Sequence, residues 1–275
     1  MTVMPLDLIP LWCFFPLLFV SGILSIEVAY CFGKWRRIRS VDEKDSSIAA
    51  IVGATLGLLA FMLAFTFSLA ATRFEARRQA VFDEANSIGT TYLRARLLPE
   101  PQRSEVAQTL RRYTEMRVQY VAERRIDELI TQSEQLHEQL WSQGVMVAEK
   151  APDSVMTGLF LQSLNETIDL HSKRVFVGLQ SRIPVTIWLA LFGLALLGMF
   201  SVGYQTGFSE SRRSPVTAML VLAFTGVLFL IVDLDRAHEG LLQVSQRSMT
   251  ELLRTMQPSP LTSQEAHDPV KMRFP

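Results

Sequence analysis

GATLGLLAFMLAFTFSLAATRFEARRQAVFDEANSIGTTYLRARLLP, running from Gly53 to Pro99, is the stretch whose reading decides the fold. Up to Arg73 it carries no charge. Beyond Arg73 it alternates Arg, Glu and Asp on a helical period. This pattern predicts one long helix that crosses a bilayer and continues into water. At ~1.5 Å per residue it reaches roughly 70 Å, of which only ~30 Å can lie in hydrocarbon.

At 100° per residue, Gly53, Gly57, Ala60, Ala64, Ser68 and Ala71 fall on one narrow stripe. Gly53-x-x-x-Gly57 opens it, and small residues at that spacing let a second helix backbone come close inside lipid. Nearly the same side continues as Phe74, Val81, Phe82, Ala85, Gly89 and Tyr92, while Arg73, Arg77 and Glu84 are expected on the opposite, solvated side. Phe61 and Phe65 flank the stripe.

Outward from this stretch, the composition agrees. A formal net charge of zero argues against a nucleic-acid partner. The 49% hydrophobic content is concentrated in a few uninterrupted blocks, as in an integral membrane protein. Cys13 and Cys31 share the first block, ~27 Å apart along one helix, too far to pair within it.

The fold class predicted is all-α: a polytopic membrane protein with four transmembrane helices and a helical extramembrane domain inserted between spans 2 and 3. Residues 1–71 hold the first pair of spans (9–32 and 48–71). Residues 72–182 form the extramembrane domain, residues 183–235 the second pair (183–202 and 215–232), and residues 236–275 an amphipathic helix and a disordered tail. Nothing basic precedes the first block and no small-x-small cleavage site follows it, so it reads as a retained anchor. Pro99 and Pro101 end the long helix. In the extramembrane domain Val106, Leu110, Tyr113 and Tyr120 mark one amphipathic helix. Ile126, Leu129, Ser133, Leu136, Leu140 and Val147 mark a second. Leu161, Leu164, Ile168, His171, Val175 and Leu179 mark a third, with Asp153 as its expected N-cap. Ser214-Pro215 opens the fourth span.

Chemistry-bearing patterns are few. Glu134-x-x-His137 has a di-iron spacing without the second motif and further glutamates such a centre needs, so it reads as a solvated helix face. His171, on an apolar face, reads as a core histidine, and His267 falls in the tail. Phosphate loops, nucleophile elbows and Cys-x-x-Cys are missing from the sequence, so no catalytic residue, metal or cofactor is expected and the chain is not read as an enzyme. Glu27 lies inside the first span, where an ionised carboxylate is costly unless it reaches water or a partner. Arg73, Arg77, Arg78, Asp233, Asp235 and Arg236 are expected to form an interfacial charge cluster, because spans 2 and 4 exit on one side.

Three stretches carry a resemblance to the bacterial bestrophin-like membrane proteins, a family defined largely as a domain of unknown function. They are Glu27-Val-Ala-Tyr30-Cys-Phe-Gly33-Lys34, Leu58 through Pro99, and Asp233-Leu-Asp235-Arg236 with Gly240-Leu-Leu-Gln-Val244-Ser-Gln246. Leu164-Asn165-Glu166-Thr-Ile168-Asp169-Leu170 adds a weaker fourth. A more distant resemblance reaches the bestrophins, pentameric anion channels whose second membrane helix lines a neck with apolar side chains at every fourth residue, followed by an Arg. Gly57, Phe61, Phe65 and then Arg73 match that spacing. Gly57 stands where a bulky residue is usual, and only Asp233 and Asp235 stand where channel members can have a longer acidic calcium-binding run.

The resemblance implies a homo-oligomer in the bacterial inner membrane, an anion-channel-like pore for chloride or another small anion, with Gly57, Phe61 and Phe65 as neck residues. The alternative is a non-conducting scaffold or sensor whose helical domain binds a partner. Two arguments on sidedness conflict. Lys34, Arg36, Arg37, Arg39, Lys44, Arg212 and Arg213 in the short loops favour an outward-facing helical domain, whereas the bestrophin likeness puts that domain in the cytoplasm.

Overall fold

The computed structural model describes residues 10–39, 45–123, 125–209, 215–236 and 240–257. Expectations for Ile9, Lys44, Arg212, Arg213, Ser214, and the tail beyond Gln257 with His267 lie outside the described residues. The helices are α1 (Leu11–Arg39), α2 (Asp45–Ala95), α3 (Gln102–Ala122), α4 (Ile126–Lys150), α5 (Val155–Val175), α6 (Val185–Phe208), α7 (Pro215–Asp235) and α8 (Arg247–Thr255). Between α5 and α6 the chain makes a π-helical turn, Phe176–Gln180. No strand occurs among the described residues. Four stretches are long and apolar enough to cross a membrane: Leu11–Ile38, Ser46–Ala95, Val155–Phe208 and Pro215–Asp235. The protein is an all-α polytopic membrane protein.

The chain divides into two compact units. The first holds residues 1–76 and 179–243, and the second residues 77–178 and 244–275. α2, at 51 residues and about 75 Å, contributes to both.

In the first unit, α1 and α6 approach almost to backbone contact. A Cβ added at Gly203 would stand 2.3 Å from Ile26 O, and one at Gly207 would stand 2.2 Å from Tyr30 O. Gly33 answers from α1, with Tyr204 O at 2.4 Å. This contact explains two differences from the sequence reading. α1 does not stop at Phe32 but continues through the basic run to Arg39, and α6 does not stop at Val202 but continues to Phe208. Both extensions are held by the glycine seam, and Lys and Arg are good helix formers once they have left the hydrocarbon. The membrane core gathers Leu59, Leu63 and Ala70 of α2 with Ile183 just ahead of α6, Trp188 and Leu191 of α6, and Leu228 and Ile231 of α7. Hydroxyls inside it bond to helix carbonyls: Thr66 Oγ1 donates to Met62 O at 2.7 Å, and Ser25 Oγ to Leu196 O at 3.0 Å. Little polar hydrogen is left for lipid.

The second unit packs α3, α4, α5 and α8 with the latter part of α2 around Ile88, Leu110, Tyr113, Leu140, Phe160, Leu164 and Met249. Gly144 brings α4 close to Leu161 of α5. Three local expectations are corrected here. The N-cap of α5 is Ser154, not Asp153; its side chain accepts from the Thr157 N–H at 3.4 Å. The apolar residues from Leu241 to Val244 are not helical, and α8 begins only at Arg247. The expected sides of α2 are corrected beyond Arg73: Val81 and Ala85 are buried as anticipated, but Phe82 is exposed, and Arg77 and Glu84 are buried rather than solvated. The helix keeps an exposed face here, through Glu75, Gln79, Phe82, Asn86, Thr90 and Leu93, but Arg77 and Glu84 lie on the side its neighbours cover.

Candidate functional site

Three places in the molecule hold side chains that packing alone does not explain. The first is the uncovered face of α2 in the first unit. Val52, Leu59, Leu63, Thr66 and Ala70 are buried, following the 3.6-residue period. Gly53, Gly57, Ala60, Phe61, Ala64, Phe65 and Ser68 are exposed. Phe61 is 67% and Phe65 58% exposed, and a Cβ at Gly53 or Gly57 would meet nothing within 4 Å. Glu27, the intramembrane acid, is half-buried on α1.

The second is the end of α7. Asp233 accepts from the Leu241 N–H (2.8 Å) and the Leu242 N–H (3.1 Å), one on each carboxylate oxygen. Gly240, at φ +141°, leaves room for this clasp, since a Cβ there would fall 2.1 Å from Asp233 Oδ1. Asp235 accepts from the Ile183 N–H (3.0 Å) and from Arg182 Nε (3.3 Å). Both acids are almost fully buried, as is Arg236, whose guanidinium lies 5.9 Å from the Phe14 ring centroid. Of the sequence-predicted charge cluster, the first unit therefore holds Asp233, Asp235 and Arg236 within one turn. Arg73 is half-buried in the same unit, with Nη1 lacking a hydrogen-bond partner among the described residues. Arg77 (buried) and Arg78 (exposed) belong to the second unit.

The third place is a buried charge centre in the second unit that sequence reasoning missed. Glu84 of α2, with no exposed surface, accepts from Tyr113 Oη (2.6 Å) and Arg117 Nη2 (2.8 Å) of α3, and from Arg174 Nη1 (2.5 Å) of α5. Arg174 Nη2 also donates to Gln246 Oε1, at 2.9 Å. His171 Nδ1 lies 3.1 Å from Tyr113 Oη and 3.7 Å from Glu84 Oε1. Burial pushes the Glu84 carboxyl up, but Arg117 and Arg174, with hydrogen bonds from His171 and Tyr113, outweigh it and hold the group well below the usual carboxylate range. Burial and the Glu84 charge push the Tyr113 phenol well up, so it stays a donor. Next along the α2/α5 contact, Thr91 Oγ1 lies 2.9 Å from both Ser163 O and Thr167 Oγ1, and Ser87 Oγ lies 2.9 Å from the same Thr167 hydroxyl.

His137 joins this centre from α4, its ring 4.9 Å from Tyr113 and 4.8 Å from His171. That corrects the reading of Glu134-x-x-His137 as a solvated face: Glu134 is exposed, but His137 is buried. Two signals were available. Arg117 follows the core Tyr113 by four residues, and Arg174 follows the core His171 by three, so each cation shares a face with a buried ring. Among the described residues no three His, Cys, Asp or Glu side chains are grouped to hold a metal ion.

A family model for the bestrophin-like domain matches residues 19–249, most of the chain and all three places. The chain belongs to the bestrophin-like family. A crystal structure of a membrane protein is similar to this bestrophin-like chain in fold, with a TM-score of 0.66 at 14% identity, covering 90% of this chain and 97% of the other. At that identity the likeness bears on fold alone. No curated protein matches the chain.

Proposed function

We propose that this bestrophin-like protein is a homo-oligomeric, anion-channel-like pore of the bacterial inner membrane, with α2 near the symmetry axis and Gly57, Phe61 and Phe65 lining a hydrophobic neck. The observation that carries this reading is the uncovered face of α2. Two phenylalanines and two glycines within thirteen residues are left without cover by their own chain. Ring closure around such a face would bring one copy of each phenylalanine to the axis from every protomer, and apolar rings of this kind gate by dewetting. Arg73, two turns beyond Phe65, is the first cation an anion would meet on leaving the neck. Chloride is the ion to test first. Reconstituted protein in planar bilayers is expected to pass chloride, and the double variant Phe61→Ala, Phe65→Ala to raise that conductance at least several-fold. Silence from both proteins would remove the pore reading.

One observation favours the scaffold reading instead. In the second unit Leu93 of α2 and Leu97 just beyond it are exposed, as are Val155, Met156 and Leu159 of α5. Arg94 Nη1 donates to Leu159 O at 2.7 Å and so ties those two helix ends together. Crosslinking in native membranes separates the two readings: a ladder of protomer multiples supports the pore, and a single adduct with another protein the scaffold.

A further inference from the structure

The charge centre contains one group whose protonation it cannot accommodate. His137 is 6% exposed, and its Nε2 is buried with no hydrogen-bond partner among the described residues. Every element packed around it presents either a positive charge or an acid already engaged. From α3 come the Tyr113 ring and, one turn on, Arg117, which is almost fully buried. From α5 come the His171 ring and, one turn on, Arg174. From α2 comes Glu84, whose oxygens are taken by Tyr113, Arg117 and Arg174. α8 adds Met249 and Leu252 to the same core, followed by Met256, while its charged Arg247, Glu251 and Arg254 are exposed, as are Glu134 and Glu138 on α4 itself.

We propose that His137 is an acid-released latch: neutral, it docks α4 onto α3 and α5, and protonated, it frees α4 from the second unit. The neutral ring is an aromatic plug in contact with two other rings. The cation would be a further positive charge beside two arginines and a histidine in a low-dielectric interior, where the one carboxylate of the centre, Glu84, already pairs with both arginines. A proton is therefore accepted where α4 has opened and the imidazole has reached water.

The direction follows from linkage. Burial first, and the neighbouring His171 second, lower the docked His137 to about 4 from the ordinary 6.5. A base with a depressed folded value contributes its full stabilisation above the unfolded value and loses it as pH falls toward the folded one. The sensitive window thus runs from about 6.5 down to about 4. Across the part of it between pH 7.5 and pH 5, the population with α4 open is expected to rise roughly thirty-fold.

Hydrogen exchange on the full chain in lipid nanodiscs tests this, with labelling times rescaled for the intrinsic pH dependence of exchange. Peptides from residues 126–150 should lose protection by roughly thirty-fold between pH 7.5 and pH 5, while peptides from α1 and α6 keep theirs. His137→Leu retains apolar packing without a proton site and should keep α4 protected at pH 5. His137→Gln, neutral and polar, serves the same purpose if the first variant folds poorly by circular dichroism. Equal protection of wild-type α4 at both pH values overturns the latch, and so does acid opening that persists in a folded variant. The readout is structural, so it is independent of whether the protein conducts.

Discussion

The two units keep their helices together by opposite means. In the first, α1 and α6 meet through Gly33, Gly203 and Gly207, where each missing Cβ leaves room for a backbone carbonyl. In the second, α2, α3 and α5 meet through a carboxylate that takes three donors in a closed interior. The difference reflects the solvent. Lipid tails are as apolar as leucine, so burying leucine between helices gains little there, and association rests on close approach and van der Waals contact. In water an apolar core supplies the driving force, and a polar group inside it is tolerated only when every partner is in place. The first unit should therefore be intolerant of added volume, and the second of lost charge.

The largest effect is expected where added volume meets backbone. Gly207→Leu places a Cβ against Tyr30 O, C and Cα, none of which can rotate away. Gly203→Leu does the same against Ile26. Each should cost more than the ~1–3 kcal/mol of ordinary overpacking, because two helices rather than one side chain must move. Thermal unfolding in detergent should show the bundle transition lost or displaced by well over ten degrees. Normal folding of either variant would mean that the α1/α6 seam is not what holds the first unit.

Removing the acid of the second unit comes next. Glu84→Gln leaves Arg117 buried and Arg174 nearly so, without their common counter-ion. Breaking a buried pair from one side costs about 3–5 kcal/mol. Hydrogen exchange should register this across α3 and α5 while α1 and α6 stay protected. A cost below about 1 kcal/mol would show the centre to be screened by solvent through Arg174, its most exposed member.

Much of the first unit could be read directly because a span announces itself by length and hydropathy. The four apolar blocks and the break at Pro99 needed only composition and the stiffness of proline. The charge centre could not be read in the same way. Glu84 lies on the opposite side of α2 from the glycine stripe, and a single-stripe rule sends such a residue to water. The rule fails because the exposed residues of α2, such as Gln79, Phe82 and Asn86, lie on the stripe side instead, and nothing local to Glu84 reports which side the neighbours will cover. Tyr113 and His171 were placed on buried faces by spacing, yet the cations one turn after them were not followed inward. Asp233 and Asp235 were legible as a charged end of a span. Their task of holding the Leu241–Leu242 and Ile183 amides was not, since it depends on where the chain returns.

The smallest effect concerns the second glycine pair, and its sign carries the information. Gly53-x-x-x-Gly57 on α2 has the same spacing as Gly203-x-x-x-Gly207 on α6, yet Gly57 has no neighbour within 4 Å of its missing Cβ. Within one chain nothing opposes a methyl group there. Gly57→Ala should then stabilise α2 by about 0.5–1 kcal/mol, the ordinary helix-interior difference. If copies of α2 approach one another along this face, the same methyl group stands between them, and the assembly should weaken while the isolated protomer gains. Measuring the unfolding temperature and the crosslinked species side by side separates the two contributions. A higher unfolding temperature with fewer multimers supports an α2 face buried between copies. A higher temperature with an unchanged multimer distribution would put Gly57 against lipid, where a methyl group displaces only an acyl chain, and the neck of Phe61 and Phe65 would lose its support.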